Sequence, residues 1–142
     1  MEDNSFPPRV EPWMRGMLLL MGAYNIGWGI FIYAFPDSFY QWLTQTEQLA
    51  PTLITWQGLG VLAFGVAYML IALYPTRLWF LVGLGFLSKF FGAIGFYFVI
   101  MQQNITKKYI FHLIMNDLIW LIPLGIIFIK IMQVRRAKRQ LA

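Results

Sequence analysis

Four long apolar runs, separated by short polar or proline-bearing links, set the pattern of this chain. The first, WMRGMLLLMGAYNIGWGIFIYAF, covers residues 13–35, and the second, LITWQGLGVLAFGVAYMLIAL, covers 53–73. The third covers 78–101 and the fourth 109–131. Each approaches the ~20 residues a helix needs to cross ~30 Å of hydrocarbon. The links YPTR at 74–77 and QQNITKK at 102–108 are so short that runs two, three and four are expected to be antiparallel neighbours. The pattern therefore predicts an all-α polytopic membrane protein, a four-transmembrane-helix up-down bundle.

Between the first two runs the pattern changes. Pro36 and Asp37 are expected to stop the first helix, and PDSFYQWLTQTEQLAP follows with Phe39, Trp42 and Leu43 at helical spacing. This predicts a short amphipathic helix lying at the membrane surface, with a polar loop as the alternative. Residues 1–12 are polar and proline-rich and are expected to form a disordered N-terminal lead. Residues 132–142 are expected to form a basic cytoplasmic tail. The first apolar run is too long for a signal-peptide core, and no small-x-small cleavage site follows it. It is read as a retained helix.

Composition agrees with lipid as the solvent. The chain has 142 residues, 59% hydrophobic and only 12% charged, with mean hydropathy +0.62, whereas soluble domains carry about 25% charged residues. The lack of cysteine removes disulfides, thiol catalysis, iron–sulfur ligation and zinc–thiolate sites. The single histidine, His112, removes any site needing two imidazoles from one chain. No glycine-rich phosphate loop, nucleophile elbow or HExxH helix occurs. Nothing in the residues argues for an enzyme, no metal site or cofactor is expected, and one His and one Asp five residues apart do not make a metal site.

Charge sets the expected orientation. Of eleven basic residues, Lys130, Arg135, Arg136, Lys138 and Arg139 fall in the last thirteen positions. Because they directly follow an apolar run, they read as a topology determinant touching anionic headgroups rather than as a nucleic-acid patch. With Arg9, Arg15 and Arg77 they place one face of the bundle inside, against Lys107 and Lys108 on the other. The expectation is a bacterial inner-membrane protein with both termini cytoplasmic. Trp13, Tyr33, Trp56, Tyr74, Trp79 and Tyr109 fit an aromatic belt at headgroup depth, and Tyr24, Trp28 and Trp120 are candidate aromatic lining deeper inside.

Small residues recur at helical spacing: Ala23 and Gly27 on the first run, Ala63 and Ala67 with Gly58, Gly60 and Gly65 on the second, and Ser88, Gly92 and Gly95 on the third. They are expected to let helix backbones approach closely, within the monomer or at a dimer face. Pro123 is expected to bend or break the fourth helix and free a carbonyl.

The candidate chemistry lies in ionisable residues inside the apolar runs. A charge in hydrocarbon costs roughly 2.5–3.5 kcal/mol on insertion scales, so such residues usually find a partner or a polar cavity. At 1.5 Å per residue, Lys89 lies roughly 16 Å into the third run and Asp117 roughly 12 Å into the fourth, from opposite sides. A Lys89–Asp117 ion pair is therefore expected. Asn25 and Gln57 fall at compatible depth, Asn116 is expected to point about 100° away from Asp117, and His112 lies nearer the outer surface as a candidate proton donor at the mouth of the site. Three readings of this constellation stay open: a structural lock, a polar cavity for a small molecule or protons, and contact with another subunit.

Three stretches, YNIGWGIFIYAFPDSF, WQGLGVLAFGVAYMLIALYPTRLWFLVGLGFLSKFFGAIGF and NDLIWLIPLG, carry a resemblance. Together they are similar to small bacterial four-helix membrane proteins of unassigned function. In that group a Tyr-Asn-x-x-Trp-Gly first helix, a Trp-Gln second, a Gly-x-x-x-Lys third and an Asn-Asp-Leu-Ile-Trp fourth recur. The label alkyl hydroperoxide reductase sometimes attached to such proteins conflicts with the lack of a cysteine nucleophile. The resemblance implies Asn25, Trp28, Gln57, Lys89, Asn116 and Asp117 as the shared residues and supplies no reaction. DoxX-type proteins are similar in architecture alone. The function expected is binding or passage of a small polar or amphipathic molecule. The alternatives are an accessory subunit of a larger, for example respiratory, membrane complex, and a membrane enzyme acting on lipid or quinone. The partners expected are the lipid bilayer, a small-molecule or lipid ligand, and a membrane-protein partner or second copy, with no nucleic acid.

Overall fold

A computed structural model describes residues 9–100 and 105–141. Most of the lead expected to be disordered, 1–8, lies outside them, as do residue 101 at the end of the third run and 102–104 of the link that follows it. Among the described residues every regular element is helical: α1 (Pro12–Ala34), α2 (Pro36–Thr44), α3 (Thr52–Leu73), α4 (Trp79–Ile100), α5 (Lys107–Leu113), a π-helical turn (Ile114–Leu118) and α6 (Ile119–Gln140). The last three run on as one helix of 34 residues. Pro12–Ala34, Thr52–Leu73 and Lys107–Gln140 are long and apolar enough to cross a membrane, and Trp79–Gly95 is a shorter apolar helix. The protein is membrane-embedded.

Helix ends follow the local chemistry. The residue before a proline disfavours the helical conformation, so α1 ends at Ala34, before Phe35. Pro36 then takes the first position of α2, where its missing N–H costs nothing. The proline expected as a stop is both stop and start. The short helix expected between the first two runs is present, and its apolar face, Phe39, Tyr40 and Leu43, is buried against Ile32, Ile54 and Tyr109. Asp37 Oδ1 accepts from the backbone N of Ala50 at 2.7 Å, and Thr106 donates to the Leu43 carbonyl, so α2 is fastened across this end of the molecule.

α1 and α3 pack antiparallel along nearly their whole length, and α4 packs on α6, while α3 and α4 touch little. The α1–α3 contact has no room for side chains. A Cβ on Gly29 would lie 2.5 Å from the Leu62 backbone N, one on Gly58 2.6 Å from the Tyr33 backbone N, and one on Gly65 2.8 Å from the Ile26 backbone N. Gly22 faces the Gly65 carbonyl. This corrects the expectation of which small residues pack: Gly27, Gly60, Gly92 and Gly95 have nothing within 4 Å of a built Cβ, and Ala23 and Ala63 are exposed. Spacing alone did not separate the two sets, because a helix has several faces and small residues occupy more than one.

The core lies between α1, α3, α4 and α6, where Leu18, Met21, Tyr68, Ile71, Val82, Leu124 and Ile127 are fully buried. At one end Arg9, Arg15, Arg77 and Lys138 gather around a cleft, Arg135 donates to the Thr76 carbonyl at 2.6 Å and stacks on Trp79, and Lys130 pairs with Glu11 at 3.7 Å. The segment expected to be a tail after residue 131 continues as helix to Gln140. Its Val, Ala, Gln, Lys and Arg contain no breaker, and cations suit a helix C-terminus. The helix continues through Pro123, so the break expected there does not occur, and a π-helical turn lies upstream at Ile114–Leu118.

Gly29→Leu is expected to lower stability by about 1–3 kcal/mol through overpacking, read as an earlier thermal transition in detergent. Gly27→Leu, pointing into open space, is expected to leave the transition in place.

Candidate functional site

Lys89 on α4 reaches into the centre of the protein with 5% of its surface exposed, far below the norm for a lysine. Its ammonium has three donors and three acceptors face it. Asn25 Oδ1 on α1 lies at 3.0 Å, the backbone carbonyl of Asn116 at 2.6 Å, and Asp117 Oδ1 at 3.6 Å as an ion pair. Asn116 Nδ2 donates to the same carboxylate oxygen at 3.2 Å, and Asn25 Nδ2 is tied to the Met21 carbonyl at 2.8 Å. The expected Lys89–Asp117 pair is formed, with α1 contributing the third arm.

The π-helical turn makes this geometry available. In a regular helix, adjacent residues cannot both face one partner. Within the π-helical turn at Ile114–Leu118 both Asn116 and Asp117 are buried, and both border one cavity. Side chains donate to two carbonyls of this turn. Lys89 takes that of Asn116, and the indole Nε1 of Trp120 takes that of Met115 at 2.9 Å. A lysine bound to both a main-chain carbonyl and the carboxylate beside it is held more firmly than an ion pair alone would hold it.

Beside the pair lies a cavity of about 390 Å³, bordered by Asn25, Gln57, Lys89, Asn116 and Asp117 at its polar wall. Its other walls are apolar or small: Leu53, Val61, Phe64, Ser88 and the glycines Gly60, Gly92 and Gly95. These are the glycines that pack against nothing; lacking side chains, they leave the space open. Leu53, Gly60, Gly92 and Gly95 are exposed, so the cavity opens where α3 and α4 touch little. Sequence reasoning found the polar wall and missed the glycine wall, whose signal was visible but was assigned to helix packing.

Two polar atoms at this wall stand out. The side-chain oxygens of Gln57 and Asn116 are buried and have no hydrogen-bond donor. Buried polar atoms are normally satisfied, so acceptors left over beside a cavity mark a place where a donor would be held.

His112 does not border the cavity. It is buried among the rings of Phe39, Trp28 and Trp42, with centroids at 5.1, 5.2 and 6.5 Å. The box is built by α1 and by α2, which folds over it, and Lys108 lies 5.9 Å above Trp42. Tyr24 lies 5.4 Å from Trp120 and 6.4 Å from Trp28, but none of the three borders the cavity; Tyr24 and Trp28 line a separate groove with Gly27 and Phe31. Among the described residues no group of three His, Asp or Glu side chains is placed to hold a metal ion.

The chain matches no family model, no curated protein and no solved structure.

Lys89→Met is expected to destabilise by about 3–5 kcal/mol, because Asp117 is left buried without its counter-charge. Asp117→Leu is expected to cost a similar amount, and the double variant is expected to recover a substantial part of the loss. Thermal unfolding of all four proteins checks this, and strictly additive losses would mean that the pair does not act as a unit.

Proposed function

We propose that this is a small integral membrane protein whose bundle encloses a polar site for a small polar or amphipathic molecule, which it binds or passes. The observation that carries this reading is the cavity itself. It combines a mostly apolar lining, glycines facing empty space and a charged pair on one wall, the usual composition of a small-molecule site. Ionisable residues inside a membrane also mark function by default. The proposed arrangement is a four-helix up-down bundle of α1, α3, α4 and the α5–α6 helix, with α2 across one end. It sits in a bacterial inner membrane with both termini cytoplasmic, supported by the gathering of Arg9, Arg15, Arg77 and Lys138 at one end. Membership of the bacterial four-helix group described above belongs to the same proposal and rests on its sequence motifs.

A second reading has its own support. The Lys89 ammonium is hydrogen-bonded to Asn25 and the Asn116 carbonyl and paired with Asp117, which suits a structural lock in an accessory subunit. A broad apolar surface including Phe90, Phe91 and Phe98 is exposed for lipid or a partner. Stoichiometric co-purification of other subunits in mild detergent, together with a cavity impermeable to probes, would favour it.

Cysteine substitution separates the readings, since the chain has no cysteine of its own. Ser88→Cys in membranes is expected to react with a small uncharged maleimide, and adding Gly92→Leu, which fills the cavity without touching packed backbone, is expected to block that reaction. Lack of labelling at Ser88 despite intact folding counts against a ligand site. For orientation, cysteine at Gln140 is expected to be protected from an impermeant reagent in intact cells, and external labelling there would overturn the proposed topology.

A further inference from the structure

We infer that the cavity selects a neutral amphiphile whose polar end donates hydrogen bonds, such as an alcohol, phenol or amide, over anionic, cationic or acceptor-only ligands. This rests on the reading of the cavity as a binding site and adds which chemistry it takes. The first ground is the internal engagement of Lys89. Its ammonium donates to Asn25 Oδ1 and the Asn116 carbonyl and faces Asp117 at 3.6 Å, so its charge is already answered within the chain and an anionic head would have to displace one of these contacts. The second is the surplus of acceptors. The Gln57 and Asn116 side-chain oxygens are buried without donors, and both residues border the cavity. The third is charge balance. Lys89 and Asp117 already cancel, and a further charge of either sign would enter a low-dielectric site with no counter-charge.

The way in fits the same class of molecule. The open side carries Leu53, Gly60, Gly92 and Gly95, which are apolar and, being mostly glycine, unobstructed. An amphiphile already dissolved in the bilayer can slide in between α3 and α4, head toward Gln57 and Asn116, with its chain left among the apolar walls. A fully solvated polar molecule gains nothing from such a portal.

The test is photolabelling of the native protein in lipid nanodiscs with a diazirine-bearing aliphatic alcohol, competed by 1-octanol, octyl methyl ether, octanoate and octylammonium. Label is expected on α3 and α4 within residues 53–64 and 88–95, and Gly92→Leu is expected to abolish it. Octanol is expected to compete at a concentration at least about tenfold below the other three, since sites built to hydrogen-bond a hydroxyl reject analogues lacking it. Gln57→Leu is expected to shrink the preference for octanol over the ether. Label that maps to the cavity, is blocked by Gly92→Leu, and is competed equally by all four molecules would overturn the donor rule while leaving the binding site standing. Label that avoids the cavity or survives Gly92→Leu would overturn the binding site and the donor rule with it. The comparison of competitors is made on the native chain and does not depend on any variant folding.

Discussion

A lysine ammonium placed among lipid-facing helices needs an internal answer to each of its three protons and to its charge. Lys89 finds two acceptors and a counter-charge within one small volume, from Asn25 on α1 and from Asn116 and Asp117 in the last long helix. Three helices are thereby fixed at a common depth by one side chain. In a membrane, where hydrophobicity does not draw helices together, such a polar knot does work that an apolar core does in water. The position of α4 depends on it most. α4 has little contact with α3, so its register is set from its α6 side and from the lysine it sends inward.

The distortion of the last helix follows from the same demand. A regular helix satisfies its own carbonyls and offers an ammonium only side chains. Within the π-helical turn at Ile114–Leu118, the Asn116 carbonyl accepts from Lys89 and the Asp117 carboxylate lies beside it. The Met115 carbonyl in the same turn accepts from the indole of Trp120, and such side-chain donors are one way irregular backbone is satisfied at membrane depth.

Glycine does two opposite things here. On the α1–α3 seam it lets backbones meet, and at Gly29 even a methyl group would overlap the Leu62 main chain. Across the α3–α4 gap it does the reverse, leaving a volume that any larger side chain would occupy. The tight seam and the open gap share α3: Gly58 and Gly65 face α1, and Gly60 faces the cavity. A rigid wall on one side and an unobstructed opening on the other is a sound way to hold a cavity open in a protein this small.

The helical architecture was legible in the sequence because each apolar run had to approach the membrane thickness, and the helix bounds differ from the runs by only a residue or two, apart from the basic extension of the last. The Lys89–Asp117 pair was legible too, since two opposite charges at matching depth on neighbouring helices have little choice but to meet. The short amphipathic helix was readable from Phe39 and Leu43, though not that its apolar face would be buried by protein. What only the tertiary structure decided is finer. Helical periodicity assumes a regular turn, so it could not foresee that a π-helical turn would bury Asn116 and Asp117 side by side. It gives a glycine's face but not what stands opposite, so Gly29 and Gly92 look alike until the neighbouring helix is placed. It put His112 near the mouth of the site, whereas the folding of α2 onto α1 seals it among Trp28, Phe39 and Trp42. In each case spacing along the chain sets depth and direction, and the outcome depended on which helix came to lie across from it.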